Sequence, residues 1–191
     1  MILILGGARS GKSRKATEIA QTRDEVIYLA TGVPTDEEME NRIARHKEDR
    51  PDSWETIEEP VDAGEVLREL EAESFSGAII LDCLGFWLSN TMRETELDGQ
   101  GGLEDFVERK ITEELGATLD ADFELIVVSN EVGMGVIPES PAGRKFRDGL
   151  GRANQVVGQL ADEVYLMVAG FPLQLKSRNS PEKSEPREKR I

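Results

Sequence analysis

Near its start the chain reads Gly6-Gly7-Ala8-Arg9-Ser10-Gly11-Lys12-Ser13, which fits the spacing G-x-x-x-x-G-K-[ST]. Glycines at those positions let the backbone curl until several N–H groups converge on phosphate oxygens. A helix opening at Lys12 adds the partial positive charge of its N-terminus. Lys12 then reaches the terminal phosphates, and the Ser13 hydroxyl can ligate Mg2+. A second candidate is Asp82, which ends the apolar run "AIILD". A carboxylate there can hold the magnesium shell as a Walker-B acid does. An aspartate that merely caps a turn at a strand end would look the same.

The third candidate is His46, the only histidine, in "NRIARHKEDRP". Arg42, Arg45, Lys47 and Arg50 surround it in sequence. Nearby cations disfavour imidazolium and so depress its pKa. A neutral ring is a nucleophile, and the same cations would stabilise charge on an attacked phosphate. Spacing alone leaves two plainer readings open: a packing histidine, or a charged helix end with cations at its negative pole. A metal role is disfavoured, because no second histidine exists and the one cysteine, Cys83, is far away in sequence.

Elements must bring these residues together. Residues 2–5, 26–31, 77–84, 124–130 and 163–170 are apolar runs with the length of buried strands. Residues 54–60 form a weaker strand, and "FPLQLK" returns as an antiparallel edge strand, where Pro172 is tolerated. Helical patterns fill the gaps at 12–22, 61–73, 86–96, 103–120 and 142–160. A further helix is expected from Thr35 to about Asp49, with Thr35 as its cap and Glu38 completing a capping box. Met39, Ile43 and His46 share one face of that helix with Arg42. The alternation predicts an α/β fold: an open, mostly parallel sheet of P-loop NTPase type, flanked by helices, with an antiparallel C-terminal edge strand. One catalytic domain is expected over 1–176 and a disordered tail over 177–191, which has two prolines and no apolar period.

With 38 acidic against 23 basic residues, the net charge is -15. That excludes general nucleic-acid binding, since a phosphate backbone would be repelled. The acidity reads as a solubilising surface or as adaptation to a high-salt cytoplasm. No apolar run is long enough for a membrane span, no signal segment is recognisable, and a lone cysteine suits a reducing compartment, so a cytoplasmic location is expected.

The ordered set "GGARSGKS", "YLATG", "TDEEMENRIARHK", "RPDSWETIEEP", "LDCLGFWLSN", "SNEVGMGVIPE" and "FRDGLGRANQVVGQLADEVYLMVAG" resembles the bifunctional adenosylcobinamide kinase / adenosylcobinamide-phosphate guanylyltransferase family of cobalamin biosynthesis. The likeness spans about residues 1–176. It implies two reactions. A nucleoside triphosphate, ATP or GTP, phosphorylates the aminopropanol hydroxyl of adenosylcobinamide. GTP then gives GMP to that phosphate through a guanylylated histidine, matched here by His46, and pyrophosphate leaves.

The resemblance also implies Mg2+, a corrinoid partner, and a homotrimer with sites near subunit boundaries. Thr31 and Gly32 match a nucleotide-contacting segment, and Lys47 and Arg50 match basic positions. Glu58 matches an acid that could accept the N1–H and N2–H of guanine, though a solvated acid reads equally well. The loop from Ser129 to Ser140 lines the site in this reading, with a flexible connector as the plainer alternative and Met134 and Val136 as alternative subunit contacts. Two rival functions stay in view: a simple P-loop small-molecule kinase without the histidine step, and a non-enzymatic GTP-binding switch.

Overall fold

Strands that are apolar on both faces must be covered on both faces. The computed structural model, which describes residues 1–48, 50–94 and 102–178, meets that demand. The strands are β1 (Ile2–Gly6), β2 (Val26–Ala30), β3 (Glu55–Glu58), β4 (Ala78–Asp82), β5 (Glu124–Asn130), β6 (Glu163–Val168) and β7 (Phe171–Lys176). The helices are α1 (Lys12–Ala20), α2 (Glu37–Glu48), α3 (Ala63–Ala72), α4 (Leu84–Glu94), α5 (Leu103–Glu114) and α6 (Pro141–Leu160). The sheet runs β3-β2-β4-β5-β1-β6-β7, parallel except for β7, which pairs antiparallel with β6.

Period-two alternation sorts the strand residues into two layers. Leu3, Ile27, Leu29, Ile79, Leu81 and Val127 face the larger core, which Leu67, Trp87, Ile111 and Val157 complete from the helices. Ile2, Ile4, Val26, Tyr28, Ile80 and Val128 face the other side, where α1 contributes Ala16 and Ala20. Tyr28 is thus the polar exception on an otherwise apolar surface beneath α1. Among the described residues no helix is long and apolar enough to cross a membrane.

Two details depart from expectation. Asp36, not Thr35, caps α2: its Oδ1 accepts the Met39 N–H at 2.8 Å, and the helix opens at Glu37. The aspartate sits three residues before the donor it satisfies, the geometry an N-cap requires. The first residues after 176 also make contacts that a disordered tail would not. Arg178 donates to Glu163 at 2.7 Å and is also paired with Glu124, so the start of the expected tail is tied to the sheet. The remainder, from residue 179, and residues 49 and 95–101 lie outside the described residues.

That edge has a pH signature. The Glu163 carboxyl is held below its usual range by the Tyr165 hydroxyl, which donates at 2.6 Å, and then by Arg178. A depressed folded-state pKa contributes stability above the unfolded value of about 4.3, lost as pH falls through the lower folded value. We expect Glu163→Gln to destabilise by about 1 kcal/mol at pH 7, in line with partly exposed pairs. The gap in Tm from the unsubstituted chain should close by pH 3; a gap that stays constant with pH would refute the assignment.

Candidate functional site

The carboxyl ends of the parallel strands converge on one rim, where open α/β sheets bind ligands. Register places Gly6 beside Asn130 and Ala30 beside Asp82 on that rim. From Gly6 the chain turns through the glycine-rich loop into α1. Gly11 sits at φ 97°, a left-handed conformation natural to glycine, as the residue before the helix. Gly6 is required for a different reason. A Cβ there would lie 2.6 Å from Ser10 Oγ and 2.7 Å from the Met167 carbonyl, and the second of these is immovable backbone.

The turn between β6 and β7 braces the loop. The Gly170 N–H donates to the Ser10 carbonyl at 3.0 Å, and Arg14 donates to the Gly170 carbonyl at 3.1 Å. Gly7, Ala8 and Arg9 stand exposed over the rim, while Ser10 is buried. Lys12 is 9% exposed and its Nζ donates to the Gly7 carbonyl at 2.7 Å, so the ammonium is folded back over the loop. Ser13 Oγ donates to Asp82 Oδ2 at 3.0 Å. The phosphate loop and the expected Walker-B acid are therefore in direct contact across strands.

Asp82 has a second donor. Tyr28 Oη reaches the same Oδ2 at 2.5 Å. Burial first, and then the Asp82 charge, push the Tyr28 phenol above its ordinary range, so it stays protonated and donates. Burial likewise pushes the neighbouring Cys83 thiol up to about 12. Cys83 is a packed thiol, not a nucleophile.

Thr31, expected as a nucleotide contact, has internal partners here. It is fully buried, and its hydroxyl both donates to the Cys83 carbonyl at 2.7 Å and accepts the Cys83 N–H at 2.8 Å. Its N–H goes to the Asp82 carbonyl and its carbonyl takes the Asn90 amide. With every polar group spent inside the chain, Thr31 shapes the rim by tying β2 to the end of β4. Gly32 follows it between Ile43 of α2 and Phe86 of α4, each about an ordinary contact from where its Cβ would stand.

The basic cluster divides. Lys47 pairs with Glu58 across from β3, both about half exposed. Arg50 lies over Tyr28, its guanidinium carbon 3.5 Å from the ring centroid, and donates to Thr56 Oγ1 at 3.3 Å. His46 belongs to α2, one turn beyond Ile43, whose side chain turns toward Gly32. The side chains of Arg42, Arg45 and His46 lie outside the described part of the structure.

Sequence reasoning missed Tyr28, Asn90, Arg14 and Asn154. Asn154 of α6 accepts from Ser129 at 2.6 Å and donates to the Asn130 carbonyl at 3.1 Å, fixing the end of β5 beside Gly6. The available signal was a polar side chain at a core position, Tyr28 in "VIYLA" and Asn154 in "RANQVV".

An ATPase of the type III secretion system of pathogenic bacteria shares the fold, with a TM-score of 0.55 and 12% identity over 86% of this chain and 50% of that one. Whole-length relatives are nearer. The bifunctional adenosylcobalamin biosynthesis protein CobU of Escherichia coli K12 is 34% identical over 92% of this chain and 99% of its own length. Its Salmonella typhimurium counterpart is 37% identical over the same shares, and CobP of Pseudomonas aeruginosa is 39% identical over 91% and 96%. The family model for cobinamide kinase / cobinamide phosphate guanyltransferase matches residues 2–175. A phosphate loop joined to a Walker-type acid, and likeness over residues 2–175, lead to one conclusion: this chain belongs to the CobU family of bifunctional kinases and guanylyltransferases.

Proposed function

We propose that this enzyme first phosphorylates the aminopropanol hydroxyl of adenosylcobinamide and then caps that phosphate with GMP through a covalent intermediate on His46. The observation that carries the reading is the junction of Lys12, Ser13 and Asp82 at the sheet rim, with Ile43 of α2 set against Gly32 beyond the end of β2. In the first step the substrate oxygen attacks the γ-phosphorus of ATP or GTP. Its proton is lost to solvent or a base, and the nucleoside diphosphate departs. The loop N–H groups and Lys12 hold the phosphates in line.

In the second step the neutral imidazole of His46 attacks the α-phosphorus of GTP. A P–N bond forms, the bond to the bridging oxygen breaks, and pyrophosphate leaves into the cradle of Gly6 to Ser13. A phosphate oxygen of the corrinoid substrate then displaces the imidazole, giving adenosylcobinamide-GDP. Lys47 and Arg50 supply positive charge near the nucleotide, and Glu58 accepts from the guanine edge. The Lys47–Glu58 pair is exposed, and such pairs are worth about 0–1 kcal/mol, so an incoming base can part it.

Mg2+ fits the donor set. A serine hydroxyl can offer a lone pair to a cation while its proton stays on a carboxylate, the arrangement Ser13 and Asp82 already hold. Among the described residues no group of three or more His, Cys, Asp or Glu could cage a metal. Mg2+ typically leans on one or two protein oxygens plus substrate phosphates, which suits this rim. When bound it would neutralise charge on the phosphates.

We place the reaction in the cytoplasm, which suits a chain with one buried free thiol, and in a homotrimer. Val168, Phe171, Leu173 and Leu175 of the last hairpin, with Met134 and Val136, are large apolar side chains left more than half exposed. Exposed apolar groups of that kind mark association surfaces. Light scattering should return three times the 21.2 kDa chain mass; a monomeric mass would remove the trimer. The chemistry is tested with GTP labelled at the α-phosphate and a denaturing gel. Acid-labile, alkali-stable label on the protein is expected. Active protein that never takes up label would overturn the histidine step.

A further inference from the structure

The geometry points to Tyr28 as a positioning residue for the phosphoryl site, acting through Asp82 and Ser13 rather than on the nucleotide. The inference rests on the reading that Ser13 and Asp82 serve a divalent cation.

Three observations carry it. Tyr28 is 4% exposed, on a strand face otherwise built from Ile2, Ile4, Val26, Ile80 and Val128. A phenylalanine would fill that place without the cost of burying a hydroxyl, which is about 1–3 kcal/mol when uncompensated. The hydroxyl donates to Asp82 at 2.5 Å, and the Arg50 guanidinium also reaches the phenol. Second, Ser13 donates to the same Oδ2 at 3.0 Å, so two donors from different elements converge on one carboxylate oxygen. Third, Arg50 covers the Tyr28 ring at 3.5 Å and is itself tied to Thr56 of β3, which holds the phenol from the outer side.

The consequence follows from the hydrogen-bonding capacity of serine. Ser13 has one proton and two lone pairs. While the proton points at Asp82, the lone pairs are turned away from it, toward the rim. A carboxylate free to rotate about χ2 would move the acceptor, and the Ser13 proton would follow it. Tyr28 removes that freedom. Partners one step removed from a metal commonly matter by about 10–100-fold in metal affinity or activity when lost.

Tyr28→Phe deletes the hydroxyl and retains the ring under Arg50. The experiment titrates MgCl2 against both reactions at saturating nucleotide, for the unsubstituted enzyme, Tyr28→Phe, Asp82→Asn and the double variant. Tm and nucleotide affinity in EDTA are measured alongside. Tyr28→Phe should raise the Mg2+ concentration for half-maximal rate about tenfold, with metal-free nucleotide affinity unchanged. In the Asp82→Asn background the same change should add nothing, because its route of action is gone.

A Mg2+ titration identical to that of the unsubstituted enzyme, with or without a lower Tm, overturns the proposal and leaves a purely structural tyrosine. So does a tyrosine effect that adds in full to that of Asp82→Asn. If Asp82→Asn raises the requirement and Tyr28→Phe does not, only this inference falls. If Asp82→Asn itself leaves the requirement unchanged, the metal reading of Asp82 falls and takes this one with it.

Discussion

Replacing His46 with alanine is expected to end GMP transfer. No α-label should remain on the protein, and formation of the GDP-capped corrinoid should fall by at least about 10³-fold, the scale on which a lost covalent nucleophile registers. Phosphorylation of the corrinoid hydroxyl should persist within about tenfold, since its acceptor oxygen comes from the substrate. The contrast depends on the chain having a single histidine. No neighbour can take over the imidazole's attack, and water at the same phosphorus would yield free GMP instead of capped product. Separate assays of phosphorylation, with γ-labelled nucleotide, and of transfer, with α-labelled GTP, check it. Equal loss of both activities would mean that His46 serves the fold or the nucleotide, and a one-step kinase would become the better account.

Lys12→Met should behave in the opposite manner, lowering both reactions together by about 10²–10³-fold, as removal of one preorganised electrostatic donor commonly does. Lys12 is 9% exposed and its ammonium is bonded 2.7 Å from the Gly7 carbonyl, so its position over the loop is set before nucleotide arrives. Methionine keeps the apolar stem and removes the charge, so Tm should change by no more than about 2–4 °C, the shift expected for 1 kcal/mol in a domain of this size. The γ-phosphoryl of the first step and the pyrophosphate of the second both require that charge if one cradle serves both. Kinetic constants for each step, with nucleotide affinity by calorimetry, decide it. Loss confined to one reaction would show that the two steps use different phosphate sites.

Much of this arrangement was legible from local pattern. The strands of the sheet rim, the phosphate loop and Asp82 fall where apolar runs and glycines put them, because a strand covered on both faces must be apolar throughout. "ELIVVSN" is β5 residue for residue, and the weaker "WETIEEP" still yields β3 over Glu55–Glu58. The cap of α2 was misplaced by one residue, as Thr35 and Asp36 both carry capping side chains and only the entry angle of the chain chooses between them. The partners of Thr31 were hidden for a related reason: a threonine after a strand looks available until Cys83 is seen to occupy its hydroxyl.

By itself the sequence determined the kind of chemistry, since backbone N–H groups that converge on phosphate depend on glycines, a lysine and a serine within eight consecutive positions. It also determined the alternation of strand and helix, because burial on both faces of a sheet is written into runs of five or six residues. Which distant side chains meet was left to the tertiary structure. Ser13 and Asp82 are 69 positions apart and Tyr28 and Asp82 are 54, and no local rule links them. Their meeting follows from a sheet order that inserts β5 between β4 and β1 and lays β2 against β4. Hydrogen bonds of 2.5–3.0 Å tolerate no error in that order or its register, so the convergence on Asp82 exists only once the whole sheet is formed.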